Sequence, residues 1–98
     1  MTTTALQINE FIEKNKIQEK LINNFSRLLE KNSAKELDLI DKNIKINSKE
    51  IEYKRTENNF NSFRSPILKN NIEIGYYELV FDEKTKLIDE FFVVTQND

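Results

Sequence analysis

The chain has 98 residues, the length of one ordinary domain and too short for two. Hydrophobic residues make up 38% and charged residues 33%, with a formal net charge of −2, against roughly 45–50% and 25% in average domains. The 9 Leu, 12 Ile, 3 Val and 7 Phe nonetheless supply 31 large apolar side chains, above the roughly 20% of the chain below which folding fails.

A single domain over 1–98 with a small core is therefore expected. One Gly and one Pro argue against a linker. With no Cys and no His, thiolate and imidazole catalysis, disulfides and zinc fingers are excluded, and a metal would have to rest on carboxylates alone. No P-loop or dinucleotide-binding glycine turn can be built from one Gly. The expectation is a non-enzyme without cofactors.

Residues 1–6 lack the basic and apolar stretches of a signal peptide. The longest apolar runs, 91–94 and 79–81, fall far short of the roughly 20 residues that span a bilayer. A soluble, cytoplasmic protein without membrane contact is expected. The abundance of Lys, Asn and Ile fits A/T-rich codons and carries no functional signal.

Residues 4–40 are predicted helical. Thr4-Ala5-Leu6-Gln7 has the form of a capping box. Ile8, Phe11 and Ile12 make one apolar stripe, and Ile17, Leu21, Ile22, Phe25, Leu28 and Leu29 make another. The two stripes are centred roughly 110° apart around a helix, so a break or bend is expected near Asn15-Lys16, or a first helix that packs on a different neighbour. Ser33-Ala34-Lys35-Glu36 is a second capping box, opening a short helix or single turn that Asp41-Lys42-Asn43 ends.

From residue 44 the period changes to two, and 44–95 is predicted to be antiparallel sheet. Ile44 and Ile46, then Ile51, Tyr53 and Arg55, alternate with polar residues across a turn at 47–50. Residues 56–65 are polar around Phe60 and Phe63 and fit no element well. Pro66, lacking an N–H, points to an edge strand or a bulge. Residues 72–81 and 87–95 are the best strands, joined by an 82–86 loop. Helices followed by three to five antiparallel strands predict an α+β domain, with the helices packed on one face of a curved sheet.

In the terminal hairpin a four-residue loop puts Val80 opposite Leu87, whereas three or five loop residues put it opposite Ile88; both satisfy the apolar pattern. Either register sets Glu78 against an acid, Asp89 or Glu90, which costs stability unless the acids splay apart or meet a cation. Such a pair could dock a basic residue of a partner or hold one raised pKa. Gly75, the one glycine, is expected at a bulge, at a bend or beside a large aromatic.

Charge is sided: residues 73–98 hold 7 acids and 2 bases, while 1–72 hold 10 and 13. An acidic hairpin can steer a basic partner. The acidic net charge disfavours nucleic acid, although Tyr53-Lys54-Arg55 with Phe60, Phe63 and Arg64 mixes stacking and phosphate-binding side chains. A packed strand with a wet edge uses the same residue types, as does a protein interface. The candidate partner interface comprises Glu73, Glu78, Asp89, Glu90, Tyr77, Tyr53, Arg55, Phe63 and Arg64.

Residues 75–82 (Gly-Tyr-Tyr-Glu-Leu-Val-Phe-Asp) with 87–93 (Leu-Ile-Asp-Glu-Phe-Phe-Val) resemble the closing hairpin of small bacterial proteins with cystatin-like and nuclear-transport-factor-like α+β folds, among them immunity proteins. The resemblance implies a non-catalytic immunity or inhibitor protein that blocks a basic toxin or enzyme surface by occlusion. Two alternatives stand beside it. One is a small-ligand binder or carboxylate-based isomerase with a cup between helices and sheet, and the other is a homo-oligomer or homodimer joined through strand edges or the Ile8/Phe11/Ile12 stripe.

Overall fold

Two stripes offset around a helix require a break between them. The computed structural model, which describes residues 5–96, has that break at Asn15-Lys16. The first helix, α1 (Ala5–Lys14), is followed by α2 (Ile17–Lys31). Lys16 between them adopts a left-handed conformation at φ 53°. The Asn15 N–H and its side-chain amide both donate to the Phe11 carbonyl at 3.0 Å, tying off the end of α1. The turn lets each stripe face the sheet. Ile17, Leu21 and Phe25, four residues apart on α2, are buried, and Phe11 of α1 stacks on Phe63 with ring centroids 5.6 Å apart. The first capping box begins at Thr4, outside the described residues.

The second capping box closes as expected. The Ser33 N–H donates to Glu36 Oε1 at 2.8 Å and the Glu36 N–H donates to Ser33 Oγ at 3.2 Å. It opens a turn and not a helix, because Asp38 at φ 57° reverses the chain. The reversal carries Leu39 into the core.

Five strands follow: β1 (Lys45–Ile46), β2 (Glu52–Arg55), β3 (Asn61–Lys69), β4 (Ile72–Phe81) and β5 (Leu87–Val94). All pairings are antiparallel in the order β1-β3-β4-β5, with β2 also on β3. Strand β3 is therefore central. Along one side it pairs with β4; on the other, its first half meets β2 and its second half meets β1. The polar stretch 56–65 supplies a tight turn at 56–60 and then this central strand. Its turn is closed by the Thr56 N–H to Phe60 carbonyl bond (2.9 Å) and by Asn59 at φ 63°. Asn70 and Asn71, both at positive φ, join β3 to β4 in the two-residue turn whose twist suits a hairpin.

Pro66 differs from expectation, since it occupies the central strand. The Pro66 carbonyl accepts from the Asn47 N–H at 3.0 Å. Its missing N–H therefore faces the same side, in the gap where β2 has ended and β1 has not begun. The sheet tolerates the proline because its nitrogen turns away from β4 and forfeits only the return bond to Asn47, where the β1 ladder ends. A bulge follows between Ile67 and Leu68.

The hairpin register also differs. Phe81 faces Leu87, as the five-residue loop requires, but a shift between Val80 and Phe81 leaves Ile88 unpaired. Beyond it Val80 faces Asp89, Tyr76 faces Val93 and Gly75 faces Val94, one residue from the register that sets Val80 against Ile88 and two from the one that sets it against Leu87. Glu78 consequently faces Phe91, and no acid stands opposite it. Gly75 does lie at a bulge, but the space beside it is taken by the β5 backbone and not by an aromatic ring. A Cβ at that position would sit 1.9 Å from the Val93 oxygen.

The core lies between α2 and the helix-facing side of the sheet, with Phe63, Ile67, Tyr77, Leu79 and Phe81 buried against Ile17, Leu21 and Phe25. Phe25 meets Tyr77 edge-on at 5.3 Å and Phe92 stacked at 6.2 Å. Ser65 Oγ is buried in this layer with no hydrogen-bond partner among the described residues.

Candidate functional site

Side chains directly opposite each other in an antiparallel sheet share a face. The registers therefore sort the candidate residues onto two sides. Phe63 and Tyr77 point to the helices and are fully buried, so neither can touch a partner as expected. They are where they are because alternation from Leu79 and Ile67 makes them core. Tyr53 is half-buried on the same face, its hydroxyl donating to Asn61 Oδ1 at 2.7 Å and its ring 5.4 Å from Phe63. Arg55 is exposed at the end of β2.

The outer face carries a cross-strand row, Glu52, Arg64, Glu78 and Phe91, one residue from each of β2 to β5. Arg64 Nε donates to Glu78 Oε1 at 2.9 Å, and its guanidinium lies 3.7 Å from the centroid of the Tyr76 ring. The acid expected to face another acid thus meets a cation. Glu78 is 15% exposed and Arg64 40%, so the pair is partly sheltered and its carboxylate is largely spent. Beside it a shallow cleft of about 200 Å³ is lined by Glu50, Glu52, Pro66 and Glu73.

At the far end of the sheet β5 is an edge strand. Asp89 and Glu90 are exposed there, and so are Leu87, Ile88 and Phe91, the last at 41%. Eight residues of edge strand with large apolar side chains form a ready template for another strand. Glu90 lies on the helix-facing side and accepts a hydrogen bond from the Tyr77 hydroxyl. Burial, and then that bond and the Glu90 charge, raise the Tyr77 pKa well above the ordinary tyrosine range.

Next to the second half of β5 runs an open cleft of about 550 Å³. Phe92 and Val94 form one wall, and Leu37, Leu39 and Ile40 from the capping-box turn form the other. Ile40 is 73% exposed. Sequence reasoning missed this cleft: Leu37, Leu39 and Ile40 were legible as a helical turn, but their approach to β5 depends on the reversal at Asp38.

Of the candidate set, the structure brings Arg64 and Glu78 together on the outer face, with Glu73 at the neighbouring cleft, and places Asp89 and Glu90 on the open edge. Between α2 and the sheet the rings of Phe25, Tyr77 and Phe92 pack against one another. Among the described residues no group of three or more acids is placed to hold a metal ion, and no helix is long and apolar enough to cross a membrane. Comparison with protein-family models, with curated proteins and with solved structures finds no match. The likeness to cystatin-like and nuclear-transport-factor-like proteins rests on the order of helices before antiparallel sheet and on the hairpin's sequence pattern.

Proposed function

We propose that the protein is a non-catalytic protein-binding module that engages its partner along the β5 edge and blocks it by occlusion, as an immunity or inhibitor protein does. The carrying observation is the open β5 edge, which exposes Leu87, Ile88 and Phe91 beside Asp89 and Glu90. Exposed apolar side chains grouped on one element mark interaction sites, and the acidic flank favours a basic partner surface. In this arrangement the two acids act as rim charges that steer approach, while the apolar groups supply the contact.

Affinity capture with the tagged chain, followed by mass spectrometry, tests this reading. A partner should be retained by the wild type and by Ile72→Lys, an exposed apolar control outside β5. It should be lost from the Ile88→Lys/Phe91→Lys double variant, and the purified wild type should inhibit the captured protein. Capture that survives the double variant would overturn the assignment.

A further inference from the structure

Building on the reading of the protein as a binding module, we propose that β5 accepts an extended peptide segment of the partner as a sixth strand. Apolar side chains of that segment would enter the cleft beside the 33–40 turn, and a basic side chain would rest against Asp89 and Glu90.

The backbone sets the register. The Thr95 N–H donates to the Ile74 carbonyl at 2.8 Å, so by alternation residues 89, 91 and 93 turn their polar groups toward β4, and Glu90, Phe92 and Val94 turn theirs outward. The Glu90 N–H is taken by Asp89 Oδ1 at 2.8 Å. No described residue bonds to the outward groups of Phe92 and Val94. A new strand therefore has its free donors and acceptors at Phe92 and Val94, and the Asp89 carboxylate marks where pairing stops.

The cleft lies on the matching side. Phe92 and Val94 direct their side chains to the helix-facing surface, and the cleft of about 550 Å³ begins at those two residues. Partner residues opposite them would project over Leu37, Leu39 and Ile40. The residue opposite Glu90 would lie beside two carboxylates. Same-face neighbours on a strand are two residues apart, so the pattern read along the partner is apolar-x-apolar-x-basic. Main-chain bonds supply affinity and alternate side chains supply specificity in this mode of recognition.

Charge identifies the occupant as a different protein. Antiparallel pairing with a second copy, with Phe92 opposite Val94, would set Glu90 opposite Gln96, and no residue from Leu87 to Gln96 is basic.

Amide NMR of the full chain titrated with the peptide Thr-Leu-Thr-Leu-Thr-Lys-Thr, with its reverse, and with versions carrying Glu for Lys tests the proposal. Binding of a Lys peptide should slow exchange of the Phe92 and Val94 amides at least about tenfold. Ile40→Lys, a change at an exposed position, should weaken binding roughly tenfold or more. Glu90→Gln, which keeps an acceptor for Tyr77 and leaves Asp89 in place, should reduce the preference for Lys over Glu. Unchanged protection at Phe92 and Val94, or Ile40→Lys binding as tightly as wild type, would overturn the sixth strand. So would a dimer that itself protects β5. If capture still depends on Ile88 and Phe91 in those cases, the binding-module reading stands without it; if capture fails as well, both fall.

Discussion

Replacing Gly75 with alanine adds one methyl group where β4 lies directly against the β5 backbone. That Cβ would lie 1.9 Å from the Val93 oxygen, 2.8 Å from Val94 Cα and 2.9 Å from the Val93 carbonyl carbon. All three are backbone atoms, so no side-chain rotation relieves the contact. A carbon rests against a carbonyl oxygen at about 3.3 Å, so β5 must retreat by roughly 1.4 Å. The retreat strains the bonds from Thr95 and Gln96 to the Ile74 carbonyl and lifts Phe92 from Phe25. Overpacking costs about 1–3 kcal/mol, here at its upper end, and each weakened hydrogen bond adds up to about 1 kcal/mol. The reduced freedom of the unfolded alanine chain returns about 0.4–1 kcal/mol. The net expectation is a loss of about 3 kcal/mol, or a Tm lower by roughly 12–24 °C for a chain of this length. Urea unfolding followed by circular dichroism measures the loss, and amide shifts along β5 report the displacement. A loss under about 1 kcal/mol with unmoved β5 amides would refute the close-approach reasoning.

Ser65→Ala removes a buried hydroxyl that has no partner among the described residues, so stability should hold or rise by about 1 kcal/mol; a loss above about 1 kcal/mol in urea would reveal a bond to that hydroxyl. The Ser33 N–H and then the Ser33 side chain lower the Glu36 pKa. Its contribution is therefore present above the unfolded pKa and is lost as pH falls through the folded one. An NMR titration of Ser33→Ala should move the Glu36 midpoint part of the way up, since the backbone donor remains. Burial raises the Tyr77 pKa, so its contribution is intact below the ordinary phenol pKa of about 10 and is lost as pH rises beyond it. Alkaline unfolding of wild type should lose stability above about pH 10 more steeply than Tyr77→Phe, and equal slopes would contradict the burial argument. Arg64→Lys keeps the charge beside Glu78 but forfeits the planar stack on Tyr76. The expected cost is about 0.5–1 kcal/mol, measured by thermal unfolding against a Tyr76→Leu background in which the cost should shrink.

Much of the architecture was legible because it is written in local periods. The offset between Phe11 and Ile17 forced a break that Lys16 supplies, and Ser33 with Glu36 closed the capping box that their spacing announces. The alternation in 72–81 and 87–94 marked the hairpin. The 56–65 stretch was opaque because its polar residues serve a turn held by Thr56 and Asn59, while Phe63 and Ser65 already belong to a buried strand. The candidate interface was half legible. Asp89 and Glu90 are acidic and exposed, but the same composition that flagged Phe63 and Tyr77 as contact residues is what a core needs.

The sequence by itself determined the class of fold, the two helices, the hairpin and the sided charge, since each follows from spacing along a few turns or a few pleats. Only the tertiary structure decided the rest. The single unpaired residue at Ile88 set which face every β5 side chain took and so put Phe91 in place of an acid opposite Glu78, while the β3–β4 register brought Arg64 to its other side. The gap between β2 and β1 admitted Pro66 to a central strand. The reversal at Asp38 brought Ile40 beside Val94 and made the cleft. In each case the deciding contact joins residues far apart in the chain, and a local pattern cannot encode which of two equally apolar registers long-range packing will favour.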